Sequence, residues 1–152
     1  MAESDYPQAA TRHLRDACLL RDHERWASAA YLSGYVLECA LKALLAQAHG
    51  HIPHTHDLRR LRQAVKDVAD GRKRPLARIV RAPFALRLSI PVPAPFESFT
   101  YPDEPVCVWH PSLRYQPESA VPSERAREWV KGAQGFHALT VGRIGPEHRT
   151  LA

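Results

Sequence analysis

Two charged residues, Glu38 and Lys42, interrupt an otherwise apolar stretch and are the first candidates for chemistry. The stretch runs from Arg25 to His49 and is apolar almost throughout, which is typical of a buried central helix. On a helix, an acid four residues before a lysine forms a favourable pair. The pair can bind a phosphate or a ribose hydroxyl. Alternatively, it can be a structural ion pair that anchors the helix against Arg114 or another cation. Because a buried charge is costly without a partner, both interpretations require further polar contacts.

Four histidines and an aspartate follow within nine residues, from His49 to Asp57. Imidazole and carboxylate groups are common ligands of Zn²⁺. The spacing, however, matches no defined zinc motif, and the three cysteines of the chain lie far apart. We therefore expect neither a metal nor another cofactor.

A basic segment begins immediately afterwards. Between Arg59 and Arg87 there are ten basic residues and only two acidic ones, whereas the whole chain carries a net charge of +5. On a helical wheel, Arg59, Arg62 and Lys66 gather opposite the apolar positions Leu58, Leu61, Val65 and Val68. Such a basic stripe predicts a polyanionic partner, most often nucleic acid, although a solvated surface face has the same composition. Aromatic residues, which would indicate base stacking, are missing from this segment until Phe84.

A further candidate is the pair Arg114 and Tyr115. A guanidinium binds phosphate in a bidentate manner, and a phenol can stack on a base or donate a hydrogen bond. The alternative is structural: Tyr115 packs under the last helix while Arg114 contacts Glu38 or Asp57.

The elements that position these residues are helices. Apolar spacing predicts four of them, over residues 7–21, 25–49, 55–70 and from 123 to about 142–145. We expect Asp22, Thr55 and Ser123 to cap the second, third and last helices, and Gly50 to end the second.

A proline-rich segment, residues 83–122, separates the third helix from the last one. Its nine prolines forbid a long helix and favour a partly extended backbone, with residues 96–101 and 106–109 as a possible small hairpin. The segment is predicted to be an insertion within a single domain, residues 1–152.

Composition limits the class of protein. A chain of 152 residues with 45% hydrophobic residues suits one globular domain. The most apolar part, residues 36–48, contains Glu38 and Lys42 and is too short to span a bilayer. The acidic N-terminus precedes no apolar run, so we expect a cytoplasmic protein with no membrane partner.

Three local patterns together resemble the HEPN domain (higher eukaryotes and prokaryotes nucleotide-binding). They are the run from Ala30 to Leu45 with its Gly-Tyr-x-x-Glu-Cys-x-Leu-Lys core, the tetrapeptide Thr55-His56-Asp57-Leu58, and Arg114-Tyr115 before the last helix. The resemblance implies an all-α bundle of four to five helices, often a homodimer. It also implies that Glu38, Lys42, His56 and Asp57 belong to the family motif. In that motif, Asp57 begins a helix and His56 can form a hydrogen bond across the loop.

Members of this family are frequently encoded beside a minimal nucleotidyltransferase, or within toxin–antitoxin and phage-defence loci. Many are metal-independent ribonucleases whose signature is an arginine followed four to six residues later by a histidine. Here only Arg143 and His148 have that spacing, and Gly145 and Pro146 between them break any helix.

The resulting hypothesis is an RNA- or nucleotide-binding module that is not catalytic by itself. Its binding residues would be Arg59, Arg62, Lys66, Arg114 and Tyr115. One alternative is a ribonuclease with a displaced site, combining Arg114 or Arg143 with His137 or His148. Another is a structural subunit that partners a nucleotidyltransferase. For a homodimer or such a complex, the expected faces are those of the second and last helices, through Ala29, Ala30, Ser33, Gly34, Trp129 and Phe136.

Overall fold

The computed structural model describes residues 4–48, 50–69, 109 and 111–144. Its four α-helices are α1 (Tyr6–Asp22), α2 (Trp26–Gln47), α3 (Leu58–Ala69) and α4 (Ser123–Leu139). Short 3₁₀ helices are formed by Pro111–Tyr115, Glu118–Ala120 and Val141–Arg143. No strand occurs within the described ranges, so the predicted all-α bundle is confirmed. The possible hairpin lies outside these ranges, apart from Trp109.

Helix α2 is the centre of the bundle and packs against α1, α3 and α4. Fifteen of its residues are buried, including Glu38 and Lys42. The helix is long and apolar enough to cross a membrane, but 78% of the relevant window is buried inside the protein. Its apolar surface is therefore covered by the neighbouring helices.

The turn between α1 and α2 differs from the prediction that Asp22 caps α2. Asp22 is the last residue of α1, and α2 starts after Arg25 without a side-chain capping bond. The amide of Arg25 donates to the carbonyl of Leu20, and that of Glu24 to Arg21, which together form a Schellman motif. Glu24 occupies its left-handed position with φ of 59°. The sequence offers no glycine there, so the usual signal for this kind of helix end is missing, although the end of α1 lies within one residue of the predicted one.

The start of α3 also differs, because Asp57 rather than Thr55 caps the helix. Asp57 Oδ1 accepts hydrogen bonds from the amides of Arg59 and Arg60, at 2.9 and 3.3 Å. Thr55 Oγ1 instead accepts from the amide of Asp57 and shapes the preceding turn. Helix α2 ends at Gln47, with Ala48 as its C-cap, rather than directly before Gly50 as predicted; the amide of Gly50 still donates to the carbonyl of Leu45 at that end.

Helix α4 begins at Ser123 as predicted, with Pro122 rather than Ser123 at the capping position, and ends at Leu139. The expected end at 142–145 is wrong because Thr140 leaves the helical conformation and residues 141–143 form a 3₁₀ turn. That turn buries Val141 and Ile144. Trp129 and Phe136 are buried within the chain, at 0% and 4% exposure, so the expected use of these two residues as an oligomer face is wrong.

The small-residue patch on α2 is also covered within the chain. Ala29, Ala30, Ser33 and Gly34 are all buried. Against Gly34 lies the indole of Trp109, which donates from Nε1 to the carbonyl of Tyr31 at 2.9 Å. The close approach that small residues allow therefore serves packing within the bundle.

Candidate nucleic-acid interface

One face of α2 carries four polar or aromatic side chains at helical spacing. Tyr31, Tyr35, Glu38 and Lys42 follow one another at intervals of four, three and four residues, which places them on the same side of the helix. The beginning of α3 and the 3₁₀ helix Pro111–Tyr115 both reach this face. The face thus joins the three family-like patterns of the sequence in space.

The carboxylate of Glu38 is the polar centre of this face. Its side chain is 7% exposed. Oε2 accepts from Lys42 Nζ at 3.3 Å, and Oε1 accepts from His56 Nδ1 at 2.7 Å. The expected Glu38–Lys42 pair is thus present, and its further partner is His56. Because both oxygens are engaged, the buried charge is compensated, and the beginning of α3 is tied to α2.

Three titratable groups near Glu38 are shifted toward their neutral forms. Burial raises the pKa of the Tyr35 hydroxyl well above its ordinary value. Burial likewise raises the pKa of the Cys39 thiol to about 11, which makes this cysteine a poor nucleophile. Burial, followed by the charge of Arg12, lowers the pKa of His13. Tyr35 and His13 are therefore neutral rings near neutral pH.

An aromatic cluster surrounds Tyr35. Its ring centroid is 5.1 Å from that of Tyr31, 5.5 Å from Trp109, 5.8 Å from His56 and 5.9 Å from His13. The first three contacts are edge-to-face, an arrangement that favours aromatic pairs. The Tyr31 hydroxyl also donates to that of Tyr35 at 3.2 Å. The cluster packs under the outer part of the face.

Arg114 and Tyr115 lie at the outer end of this cluster. The guanidinium carbon of Arg114 is 6.0 Å from the centroid of Tyr31 and 5.3 Å from that of Tyr115. Tyr115 is 79% exposed, so the alternative that it packs under the last helix is wrong. The described contacts of Arg114 are these two rings, rather than Glu38 or Asp57. Both side chains remain accessible to a ligand.

The basic stripe on α3 has the predicted orientation. Leu58, Leu61, Val65 and Val68 are all at most 4% exposed, while Arg59, Arg60, Arg62 and Lys66 are exposed. Within the described part of the chain, these four cations take part in no ion pair. The amphipathic division therefore leaves a cationic surface, which we call the basic face of α3.

The histidine cluster gathers no set of metal ligands in the described ranges. No group of three or more histidine, cysteine or acidic side chains is placed to hold an ion there. His51 and His54 are exposed, and His56 is bound to Glu38.

In the contacts that the structure describes, the residues of the ribonuclease alternative have different neighbours. His137 Nε2 is 2.9 Å from Thr11 Oγ1 of α1, whereas Arg114 lies over Tyr31 and Tyr115. Arg143 is exposed at the 3₁₀ turn after α4. His148 lies outside the described residues.

Sequence reasoning missed His13, Tyr31, Tyr35 and Trp109 as members of this face. For the two tyrosines a signal was present, because they continue the Glu38–Lys42 line one and two turns toward the N-terminus. His13 and Trp109 come from distant parts of the chain, and no local pattern shows that they meet Tyr35.

The structure therefore belongs to a class of helical bundles. In this bundle the central helix α2 carries the Glu38–Lys42 pair, and Glu38 is also bound to His56, just before the next helix. The family model for the HEPN domain matches residues 4–92, which is more than half of the chain. The protein belongs to the HEPN domain family, a family of nucleotide- and RNA-related modules. No curated protein and no solved structure matches the chain.

Proposed function

We propose that this protein is an RNA- or nucleotide-binding HEPN module of a prokaryotic toxin–antitoxin or phage-defence system, acting in the cytoplasm and not catalytic by itself. The observation that carries the proposal is the basic face of α3. Family membership supports the ligand class, since HEPN domains are nucleotide- and RNA-related.

The basic face has the properties that phosphate binding requires. Burial of the apolar side of α3 fixes the helix, and each fully buried aliphatic side chain contributes about 1.5–3 kcal/mol. The cations on the opposite side are exposed and make no ion pair within the described residues, so a phosphate does not have to displace an internal carboxylate. Binding of this kind releases counterions and weakens as salt is added.

The direct test is neutralisation of Arg59, Arg62 and Lys66 together, each to glutamine. Fluorescence anisotropy with a labelled oligouridylate should show at least about a ten-fold loss of affinity at low salt. The slope of log Kd against log salt should fall by about 0.7 for each lost phosphate contact, about 2 in all. RNA binding that is unchanged in this variant overturns the proposal.

A matched control changes the same number of exposed cations elsewhere. Arg15, Arg25 and Lys131 are exposed residues of α1, the α1–α2 turn and α4. Replacing all three by glutamine lowers the net charge equally, and it should leave most of the RNA affinity intact. An equal loss in both triple variants would mean that net charge alone, rather than the basic face of α3, attracts RNA.

The non-catalytic part of the proposal has its own assay. RNA incubated with the protein in the presence of a metal chelator should remain uncleaved. Cleavage that is lost in His137→Ala or His148→Ala would contradict this part and favour the displaced ribonuclease site.

We further propose that the chain acts as a homodimer or in a complex with the product of a neighbouring gene, such as a nucleotidyltransferase. Because Trp129 and Phe136 are buried within the chain, the contact must use other residues. Sedimentation at micromolar concentration, alone and with the neighbouring protein, should show a species larger than the monomer. Co-expression of the two genes should also relieve a growth defect that one of them causes alone. Sedimentation that shows only the monomer, both for the chain alone and for its mixture with the neighbouring protein, would contradict the proposed partners.

A further inference from the structure

We propose that Tyr115 and Arg114 form a stacking site for an unpaired base, so that the preferred ligand is single-stranded rather than duplex RNA. This inference rests on the proposed RNA-binding function and assigns a second contact to it, separate from the basic face of α3. The observation behind it is a continuous series of ring contacts from the core to the surface.

The series begins at Trp109, which is fully buried against Gly34. It continues edge-to-face to Tyr35 at 5.5 Å and to Tyr31 at 5.1 Å. Arg114 then covers Tyr31 at 6.0 Å and Tyr115 at 5.3 Å. We call these five residues the aromatic ladder. The inner end is fixed in the core, and Arg114 contacts both Tyr31 and Tyr115; a site whose support is already packed costs less to order on binding.

The outer end of the ladder has the chemistry of a nucleotide site. Tyr115 is 79% exposed and presents an aromatic surface on which a base can stack. The guanidinium carbon of Arg114 lies 5.3 Å from the centroid of Tyr115, so an N–H group of this exposed side chain can reach a phosphate next to a base stacked on Tyr115. One nucleotide would thus place its base on Tyr115 and its phosphate at Arg114.

This contact distinguishes single strands from duplexes. In an RNA duplex the bases are stacked on one another and have no open face, whereas bases of single strands and loops can be splayed onto aromatic side chains. The basic face of α3 alone would attract both forms through phosphate charge. Preference for the single strand therefore depends on Tyr115.

The test compares single-stranded oligouridylate with an RNA duplex of equal length, by anisotropy, for three variants. Tyr115→Ala should lose about ten-fold in affinity for the single strand and little for the duplex. Tyr115→Phe retains the ring and should bind like the original chain. Gln116→Ala changes the exposed neighbour and should have no effect.

A second readout reports stacking directly. An oligonucleotide containing 2-aminopurine loses fluorescence when that base stacks, and this quenching should disappear in Tyr115→Ala but persist in Tyr115→Phe. If charge alone bound the RNA, the quenching would be the same in Tyr115→Ala as in the original chain. For Arg114→Lys, which keeps the charge but removes the planar group, we expect weaker quenching as well.

The outcomes separate the two proposals. If Tyr115→Ala binds single strands as the original chain does, while the triple variant of the basic face loses binding, the stacking site is overturned and RNA binding stands. The same holds if Tyr115→Ala leaves RNA binding intact but weakens a protein complex, which would make the ladder a protein contact. If the original chain binds neither form of RNA, both proposals fail.

Discussion

The indole ring of Trp109 lies directly against the α-carbon of Gly34, in the space that a side chain at this position would occupy. A β-carbon built on Gly34 would overlap the ring atoms Cε2, Nε1 and Cδ2. Trp109 is fully buried and bonded to the carbonyl of Tyr31, so it has little freedom to withdraw. Glycine is therefore required at position 34 because of this close packing. The outer residues of the aromatic ladder depend on the same contact.

The first prediction concerns this contact. Gly34→Ala should lower the free energy of unfolding by about 1–3 kcal/mol, because an extra methyl group in a packed core forces the neighbour to move. Urea denaturation measures the change. Gly135→Ala in α4 is the control, since a β-carbon there meets no atom within 4 Å. That variant should gain about 0.5–1 kcal/mol from helix propensity. Equal stability of the two variants would contradict the packing described.

The second prediction concerns the left-handed residue Glu24 between α1 and α2. Its φ of 59° is costly for any residue with a side chain, whereas glycine adopts it readily. Glu24→Gly should therefore raise the free energy of unfolding by about 0.5 kcal/mol, after the greater entropy of glycine in the unfolded chain is subtracted. Glu24→Ala keeps the strain and serves as the control in thermal denaturation. A glycine variant no more stable than the alanine variant would argue against the Schellman motif.

The third prediction concerns the buried charge of Glu38. Glu38→Gln removes the carboxylate and leaves the Lys42 ammonium buried without an opposite charge. Breaking a buried pair in this way costs about 3 kcal/mol or more. Replacing the two residues together, as Glu38→Leu with Lys42→Met, removes both charges and should cost clearly less in the same urea titration. If the single variant were as stable as the original chain, Glu38 and Lys42 would not form the compensated pair described above.

The fourth prediction follows from the pKa of Cys39, which burial raises to about 11. Between pH 9 and this value, the thiol ionises in the unfolded chain but not in the folded one, so its contribution to stability is present below pH 9 and decreases as the pH rises. The loss is on the order of 2 kcal/mol by pH 11. Cys39→Ala should flatten this part of the stability profile. Alkylation of the folded chain at pH 8, followed by peptide mass mapping, should label Cys18 before Cys39. The opposite order would contradict the burial of Cys39.

The sequence predicted the helices well because α1, α3 and α4 repeat apolar residues at helical spacing and α2 is a long, almost continuous apolar run, and the buried side of α3 was predicted residue by residue. Helix ends were harder to predict, since capping depends on single side chains: Thr55 and Asp57 are both good capping residues, and only the backbone path decides between them. The Glu38–Lys42 contact is local on one helix and followed from spacing. The neighbours of Tyr35 could not be predicted in this way, because Trp109 meets it from far along the chain. Likewise, the sequence alone cannot decide whether Trp129 and Phe136 belong to an exposed interface or to the core, because this depends on where the other helices lie.

The position of Trp109 also bears on which part of the chain can exist independently. The family match ends at residue 92, yet Trp109 and α4 cover α2 from beyond that point. A fragment that ends at residue 92 would expose the apolar surface of α2 that Trp109 and α4 cover in the whole chain. Boundaries for expression or for transplanting this module into another protein must therefore extend through Ile144.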